Sequence, residues 1–248
     1  MLNLGWGAGA IADYPWNLDG SKPWAAEDTI SVFDLMGDLE KLGIRFIDTA
    51  FRYGGGLSEK IIGLARSNGF LAKALIFTKL EVSPSILEME HAYELSCERL
   101  GGQPAGVFLH NPDLSISKSV FLAKACAWLK RKNLGFCGIS TEPVREAVRI
   151  VEGEGMNCIQ FPYSMFDRRA EEEILPYASK GILTMANRVL GGPTKELKSE
   201  DMIIGALRYV AESRARINVV LIGTAKRTHL EKVVEAWNGF RNSVESSR

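Results

Sequence analysis

The chain has 248 residues, 30 of them Lys or Arg and 30 Asp or Glu, and 46% of its residues are hydrophobic. A formal net charge of zero excludes a general polyanion binder such as a nucleic-acid protein, which needs an excess of cations, and ordinary hydrophobic content excludes a disordered chain. No window holds the roughly 18 uncharged apolar residues of a membrane helix, and MLNLGWGAGAIADYPW lacks the charged segment and apolar run of a signal peptide, so a cytoplasmic protein is expected.

Short apolar runs alternate with longer amphipathic stretches, beginning with Leu2–Trp6. Glu27–Leu42 then sets Ile30, Phe33, Leu35 and Leu39 among acidic residues at helical spacing and leads into the second run, Ile44–Ile47. Ala74–Thr78 follows. After it comes a helix over Ser85–Leu100, opened by Ser83-Pro84 with Pro84 at the first helical position and closed by Leu100-Gly101-Gly102. Gly106–Leu109 precedes the amphipathic stretch Ser117–Lys132, and Gly135–Ile139 precedes a helix opened by Glu142-Pro143. Cys158–Phe161 is followed by a helix from near Asp167 to Gly181, and Ile182–Met185 and Val219–Ile222 complete the runs. Runs this short, apolar on consecutive positions, are the pattern of parallel strands buried on both faces. Without a linker or composition break, eight such units imply one domain over residues 1–248, an α/β fold of the (β/α)8 TIM-barrel type. An open doubly wound sheet is the alternative. It wants a phosphate loop after the first strand, and Gly5-Trp6-Gly7-Ala8-Gly9 lacks both the G-x-G-x-x-G spacing and a following helix. Cys97, Cys126, Cys137 and Cys158 form no CxxC pair and have no His at ligand spacing, so they read as reduced core thiols and no metal site is expected.

In such a barrel the chemistry lies at the C-terminal strand ends. Those ends are polar here: Asp48, Lys79, His110, Ser140 and Gln160 each close an apolar run, in RFID, IFTK, VFLH, CGIS and CIQ. A charge directly after a buried run is costly unless paired, so Asp48 and Lys79, on adjacent strands, are expected to form an ion pair. Taken singly, each has a plain reading: Asp48 as a turn residue, Lys79 snorkelling at the rim, His110 as a loop histidine, Tyr53 as a surface aromatic beside Gly54-Gly55-Gly56. Their joint placement at consecutive strand ends favours catalysis. A free phenol has a pKa of about 10, and an ammonium beside it, held in turn by a carboxylate, stabilises the phenolate. Tyr53 is then the general acid, Lys79 its tuner, Asp48 the anchor, and His110 a donor to the substrate oxygen. The set holds no good covalent nucleophile, so a hydride must come from a cofactor.

Ile47-Asp48-Thr49-Ala50 with Tyr53-Gly54, Phe77-Thr78-Lys79 and Leu109-His110 resemble the Asp, Tyr, Lys and His tetrad of aldo-keto reductases. Gly138-Ile139-Ser140, Gln160-Phe161-Pro162-Tyr163-Ser164 and Ile222-Gly223-Thr224 extend the likeness in order, and the loop Tyr53–Glu59 is similar to that of the branch containing aldose 1-dehydrogenases. The resemblance implies a (β/α)8 barrel that binds NADP, or NAD, and reduces carbonyls reversibly, acting on a small carbonyl compound or sugar. It assigns cofactor contacts to Ser140, Gln160, Gly223, Thr224, Lys226 and Arg227, with Gly223-Thr224 offering backbone donors ahead of a helix N-terminus. Lys226 and Arg227 read equally as a solvated pair.

Several positions depart from the family. Thr141 follows Ser140 where Asn is usual, Asn187-Arg188 stand where an aromatic often stacks on the nicotinamide, and Val233 stands where an Asn often grips adenine. The long substrate loops and the C-terminal tail are expected to be trimmed. Two other functions therefore stay open beside the oxidoreductase: a redox-neutral acid–base enzyme catalysing elimination or epimerisation, and a non-catalytic regulatory or binding subunit. Trp6, Tyr14, Trp16 and Trp24 either wall a substrate pocket or cover the barrel edge; oligomeric state is not legible.

Overall fold

Parallel strands pair in chain order, β1 (Asn3–Gly7), β2 (Phe46–Asp48), β3 (Leu75–Leu80), β4 (Gly106–His110), β5 (Phe136–Ser140), β6 (Cys158–Pro162), β7 (Leu183–Asn187) and β8 (Val219–Ile222), and β8 returns to β1 to close a barrel. This computed structural model describes residues 2–11, 28–115, 119–191, 200–212, 217–224 and 227–245. Helices α1 (Asp28–Lys41), α2 (Leu57–Ser67), α3 (Ile86–Arg99), α4 (Ser119–Lys130), α5 (Arg145–Gly153), α6 (Ala170–Glu173), α7 (Glu200–Glu212) and α8 (Arg227–Glu245) follow the strands in turn. Each apolar run of the sequence is a strand. Several strands extend past the run into its polar end, because ladder hydrogen bonds are made by the backbone and tolerate any inward side chain that finds a partner.

Three helix boundaries differ from expectation. Pro84 is not the first residue of α3 but precedes its cap: Ser85 is extended and its Oγ accepts from the Glu88 amide at 3.3 Å. Gly101, at φ +67°, and the Gly102 amide bonded to the Cys97 carbonyl at 2.8 Å close α3 as expected. The helix after Glu142-Pro143 starts later, at Arg145, with Val144 extended before it. The helix expected from Asp167 to Gly181 is the single turn α6, because Pro176 has no amide to donate and disfavours helical geometry at Leu175. Among the described residues no helix is long and apolar enough to cross a membrane.

Strand alternation splits the sheet into two faces. Outward residues such as Ile47, Ile76, Val107, Ile139 and Ile159 are buried under the helices. Inward residues form a separate cluster of Phe77, Phe108, Cys158, Met185, Val219 and Leu221, with Phe46, Phe136 and Leu183 against it. Phe77 lies at its centre, its ring 6.2 Å from Phe46, 5.8 Å from Phe108 and 5.4 Å from Phe136. Gly106 makes room for it, since a Cβ there would sit 2.5 Å from the Phe77 ring. Further along the strands, on the same inward parity, stand Asp48, Lys79, His110, Gln160 and Asn187, each two residues on, and Ser140, four residues beyond Phe136. The aromatic layer is thus the floor, and the polar layer rests on it at the C-terminal mouth.

Candidate active site

Asp48, Tyr53, Lys79 and His110 meet at this mouth. Lys79 is 2% exposed and Asp48 5%. The Lys79 ammonium has three donors, and it directs them to Asp48 Oδ2 at 2.6 Å, the Thr49 carbonyl at 2.8 Å and the Tyr53 hydroxyl at 3.3 Å. Burial pulls the Lys79 pKa down, but the charges of Asp48 and of an ionised Tyr53, with the hydrogen bonds to both, outweigh it and leave the value above 10.5. The lysine is therefore a permanent cation at neutral pH.

Tyr53 begins a 3-10 turn, Tyr53–Gly56, in which Gly54, Gly55 and Gly56 take φ of 59°, 63° and 95°. Only glycine adopts three such values in succession without strain, and this reversal brings the ring back over the barrel. There it packs on the backbone of Gly9, where a Cβ would lie 3.4 Å from the ring. The Lys79 Nζ is 4.9 Å from the ring centroid, and His110 meets the ring edge-on at 6.4 Å and 80°.

His110 has its pKa pushed down to about 3, first by burial and then by the positive charges of Lys79, Arg52 and Arg188. Its imidazole is neutral at physiological pH and offers a hydrogen bond rather than a charge. Unfolding exposes it to a value near 6.5, so the unfolded chain binds a proton that the native state refuses. Native stability is then full above pH 6.5 and falls progressively as pH drops toward 3, where His110 itself titrates. Denaturant unfolding of wild type and His110→Gln at several pH values checks this: the variant is expected to show the shallower acid slope.

A second polar chain crosses the barrel. Gln160 donates through Nε2 to Asp48 Oδ1 at 2.8 Å, and its Oε1 accepts from Ser140 Oγ at 2.7 Å and from Asn187 Nδ2 at 3.3 Å. The Lys79 cation dictates this polarity: Asp48 is the acceptor, so Gln160 turns its NH2 toward it, and Asn187 must turn its own NH2 toward Gln160. The Asn187 Oδ1 is left buried with no hydrogen-bond partner among the described residues. Asn111 and Arg188, directly after His110 and Asn187, have φ of 44° and 51°, a conformation that costs a non-glycine residue about 1–2 kcal/mol. At the rim Arg52 pairs with Glu81 at 2.5 Å, and Glu142 pairs with Arg188 at 2.9 Å and with Arg169 at 2.7 Å.

The remaining expected positions divide. Gly223 and Thr224 follow β8 at the same mouth, and the Thr224 carbonyl accepts from the Trp6 indole at 2.8 Å. Trp6 is fully buried and belongs to the core rather than a pocket wall. Tyr14, Trp16, Trp24 and Lys226 lie outside the described residues, as does the side chain of Arg227. Val233 is buried in the core and carries no polar group for a purine. Sequence reasoning did not find Glu59, which is fully buried between Thr78 Oγ1 at 2.6 Å and the Arg99 guanidinium at 3.2 Å. Its one sequence signal was an acidic residue in the first turn after the glycine run.

Residues 16–204 match the family model described as the aldo/keto reductase family. An aldo-keto reductase of Bacillus subtilis, YhdN, is 28% identical over 183 residues, covering 68% of this chain, and the match spans about half (54%) of that protein's length. A solved aldo-keto reductase from Pseudomonas aeruginosa superposes with a TM-score of 0.76 at 22% identity, over 96% of this chain and 90% of that one. A Klebsiella pneumoniae aldo/keto reductase, solved in complex with NADP and acetate, does so with 0.73 at 19%, over 95% and 85%. The structural likenesses establish the fold, and the family match extends over most of the sequence that builds the mouth: the chain belongs to the aldo/keto reductase family.

Proposed function

We propose that the protein is an NADP-dependent oxidoreductase, with NAD as the alternative cofactor, that reversibly reduces a small carbonyl compound or oxidises a sugar lactol. The observation that carries this reading is the Tyr53 hydroxyl held 3.3 Å from a buried ammonium that Asp48 grips at 2.6 Å. A bound reduced nicotinamide supplies the hydride for the carbonyl carbon. Tyr53 gives its proton to the carbonyl oxygen, and the resulting phenolate is stabilised by the Lys79 charge beside it. His110, neutral, donates an N–H to the same oxygen as negative charge develops there. In the reverse direction Tyr53 takes the proton back as a base. The Klebsiella relative's NADP supports the cofactor class.

The residues fit a nicotinamide cofactor. A carboxamide needs both a donor and an acceptor, and Asn187 carries both: an Oδ1 with no partner among the described residues and, on Nδ2, a second N–H beside the one given to Gln160. Gly223, Thr224 and the start of α8 with Lys226 and Arg227 are the proposed phosphate end. A cavity of about 340 Å³ beside His110, walled by Glu81, Val82, Asn111, Pro112 and Phe121, is large enough for a small carbonyl substrate.

Purified protein mixed with NADPH or NADH and a panel of aldehydes and aldoses tests the proposal. Quenching and blue-shift of the NADPH fluorescence, with substrate-dependent oxidation, is expected. Turnover in protein free of nicotinamide would replace it with redox-neutral acid–base chemistry; absence of both binding and turnover would point to the binding subunit.

A further inference from the structure

We propose that Arg99 is a positioning residue for the Tyr53 hydroxyl: it clamps, from α3, both ends of the segment that carries Tyr53. This rests on the reading of Tyr53 as the proton donor. Upstream of Tyr53, the Arg99 Nη1 donates to the Phe51 carbonyl at 3.4 Å, and its guanidinium lies 4.7 Å from the Phe51 ring centroid. Downstream, the same Nη1 reaches Glu59 Oε2 at 3.2 Å in the first turn of α2. Between them the guanidinium fills the space a side chain at Gly56 would take, a Cβ there lying 2.3 Å from Arg99 Cζ and Nη1. Arg99 itself is held: its carbonyl packs against Gly63 of α2, where a Cβ would come within 1.9 Å.

The clamp is tied to the catalytic strand. Glu59 Oε1 accepts from Thr78 Oγ1 at 2.6 Å, and Thr78 is the residue before Lys79 on β3. One buried carboxylate thus joins the strand that carries the ammonium to the helix that follows the phenol. A second tie, Thr49 Oγ1 to Ser58 Oγ at 2.7 Å, with Ser58 donating to the Ala8 carbonyl at 3.1 Å, fixes the same turn to β1 and β2. Three successive left-handed glycines give the Tyr53 loop freedom in the absence of such contacts. The backbone bond of the Phe51 amide to the Lys79 carbonyl at 3.0 Å fixes where the segment leaves β3. Arg99 and Glu59 hold the turn beyond it, so that together they support the 3.3 Å separation of Tyr53 Oη from Lys79 Nζ. A guanidinium suits this place because its flat body lies over the Phe51 ring and fills the space beside Gly56 while Nη1 at its edge donates to the Phe51 carbonyl and Glu59.

The test compares wild type with Arg99→Met and Arg99→Lys, and with Met89→Ala as a control. Met89 is buried on the same helix and lies outside the clamp. In Arg99→Met, kcat is expected to fall about 10- to 100-fold, the scale of a misplacement near 1 Å, while KM and cofactor affinity change less than about threefold. The Tyr53 phenol, followed without turnover by ultraviolet difference titration against Tyr53→Phe, is expected to titrate at higher pH once it drifts from Lys79. Arg99→Lys recovers part of both effects, and Met89→Ala lowers Tm with neither. A titration and kcat in Arg99→Met within about threefold of wild type overturn the assignment, as does Met89→Ala reproducing both losses. Should Arg99→Met not fold, Arg99→Lys and Glu59→Gln, which removes the charge that Nη1 reaches, carry the same readouts. Wild type that binds no cofactor refutes the proposed function, and the phenol titration still decides the clamp.

Discussion

Tyr53→Phe is expected to lower kcat by about 10²- to 10⁴-fold while leaving fold and cofactor binding nearly intact. The substitution keeps the ring that packs on Gly9 and faces the Lys79 ammonium at 4.9 Å; only the hydroxyl is removed. Lys79 loses its longest hydrogen bond, at 3.3 Å, and keeps those to Asp48 and the Thr49 carbonyl. A hydrogen bond to a charged group contributes about 1.5–3 kcal/mol at typical lengths and this one is long, so stability falls by no more than about that range, while the chemistry loses its proton. Steady-state rates beside denaturant unfolding separate the two. A Phe variant turning over within a few-fold of wild type removes Tyr53 from the acid's role and leaves His110 as the candidate.

Lys79→Met is expected to damage both properties. Removing the cation strands Asp48, 5% exposed, with the Gln160 amide as its remaining side-chain partner among the described residues, and breaking a buried pair this way costs about 3–5 kcal/mol. Asp48→Asn added to Lys79→Met is expected to return part of that stability, since a neutral amide needs no counter-charge, and none of the activity. Equilibrium unfolding in urea and the rate of NADPH oxidation report the two effects independently. The intact pair also sets an alkaline limit. The Lys79 pKa is raised above 10.5 in the native state. Its contribution is therefore fully present below pH 10.5 and is lost as pH climbs through the higher native value, because above 10.5 the native chain keeps a proton the unfolded chain has released.

The barrel was legible because parallel strands buried on both faces must be short, apolar and regularly spaced, and Val219–Ile222 was placed to the residue. The meeting of Asp48 and Lys79 was legible for a related reason. A charge placed directly after a buried run is conspicuous, and only the C-terminal mouth lets Asp48 and Lys79 meet. The Gln160–Asp48 bond was half-legible: inward parity is shared, but that β6 faces β2 across the interior follows only from closure of the barrel. Glu59 and Arg99 escaped notice because their meeting depends on how α2 and α3 dock, at a separation of 40 residues with no periodic signature. The helix expected over 167–181 shrinks to the single turn α6 because Pro176, inside the bounds that Asp167 and Gly181 suggested, interrupts it.

The stacked phenylalanines beneath the tetrad have a consequence for how such a protein can diversify. Phe46, Phe77, Phe108 and Phe136 belong to strands, whereas the cavity walls other than His110, the last residue of β4, are on connecting segments or a helix. The residues proposed to handle the proton and the surface that would select a substrate are therefore inherited through different stretches of chain. Loops at the mouth can lengthen, shorten or be exchanged between relatives without disturbing the slab on which Asp48 and Lys79 stand. A library that randomises the segments after β3 and β4 and leaves the four phenylalanines alone would search new substrates at constant chemistry.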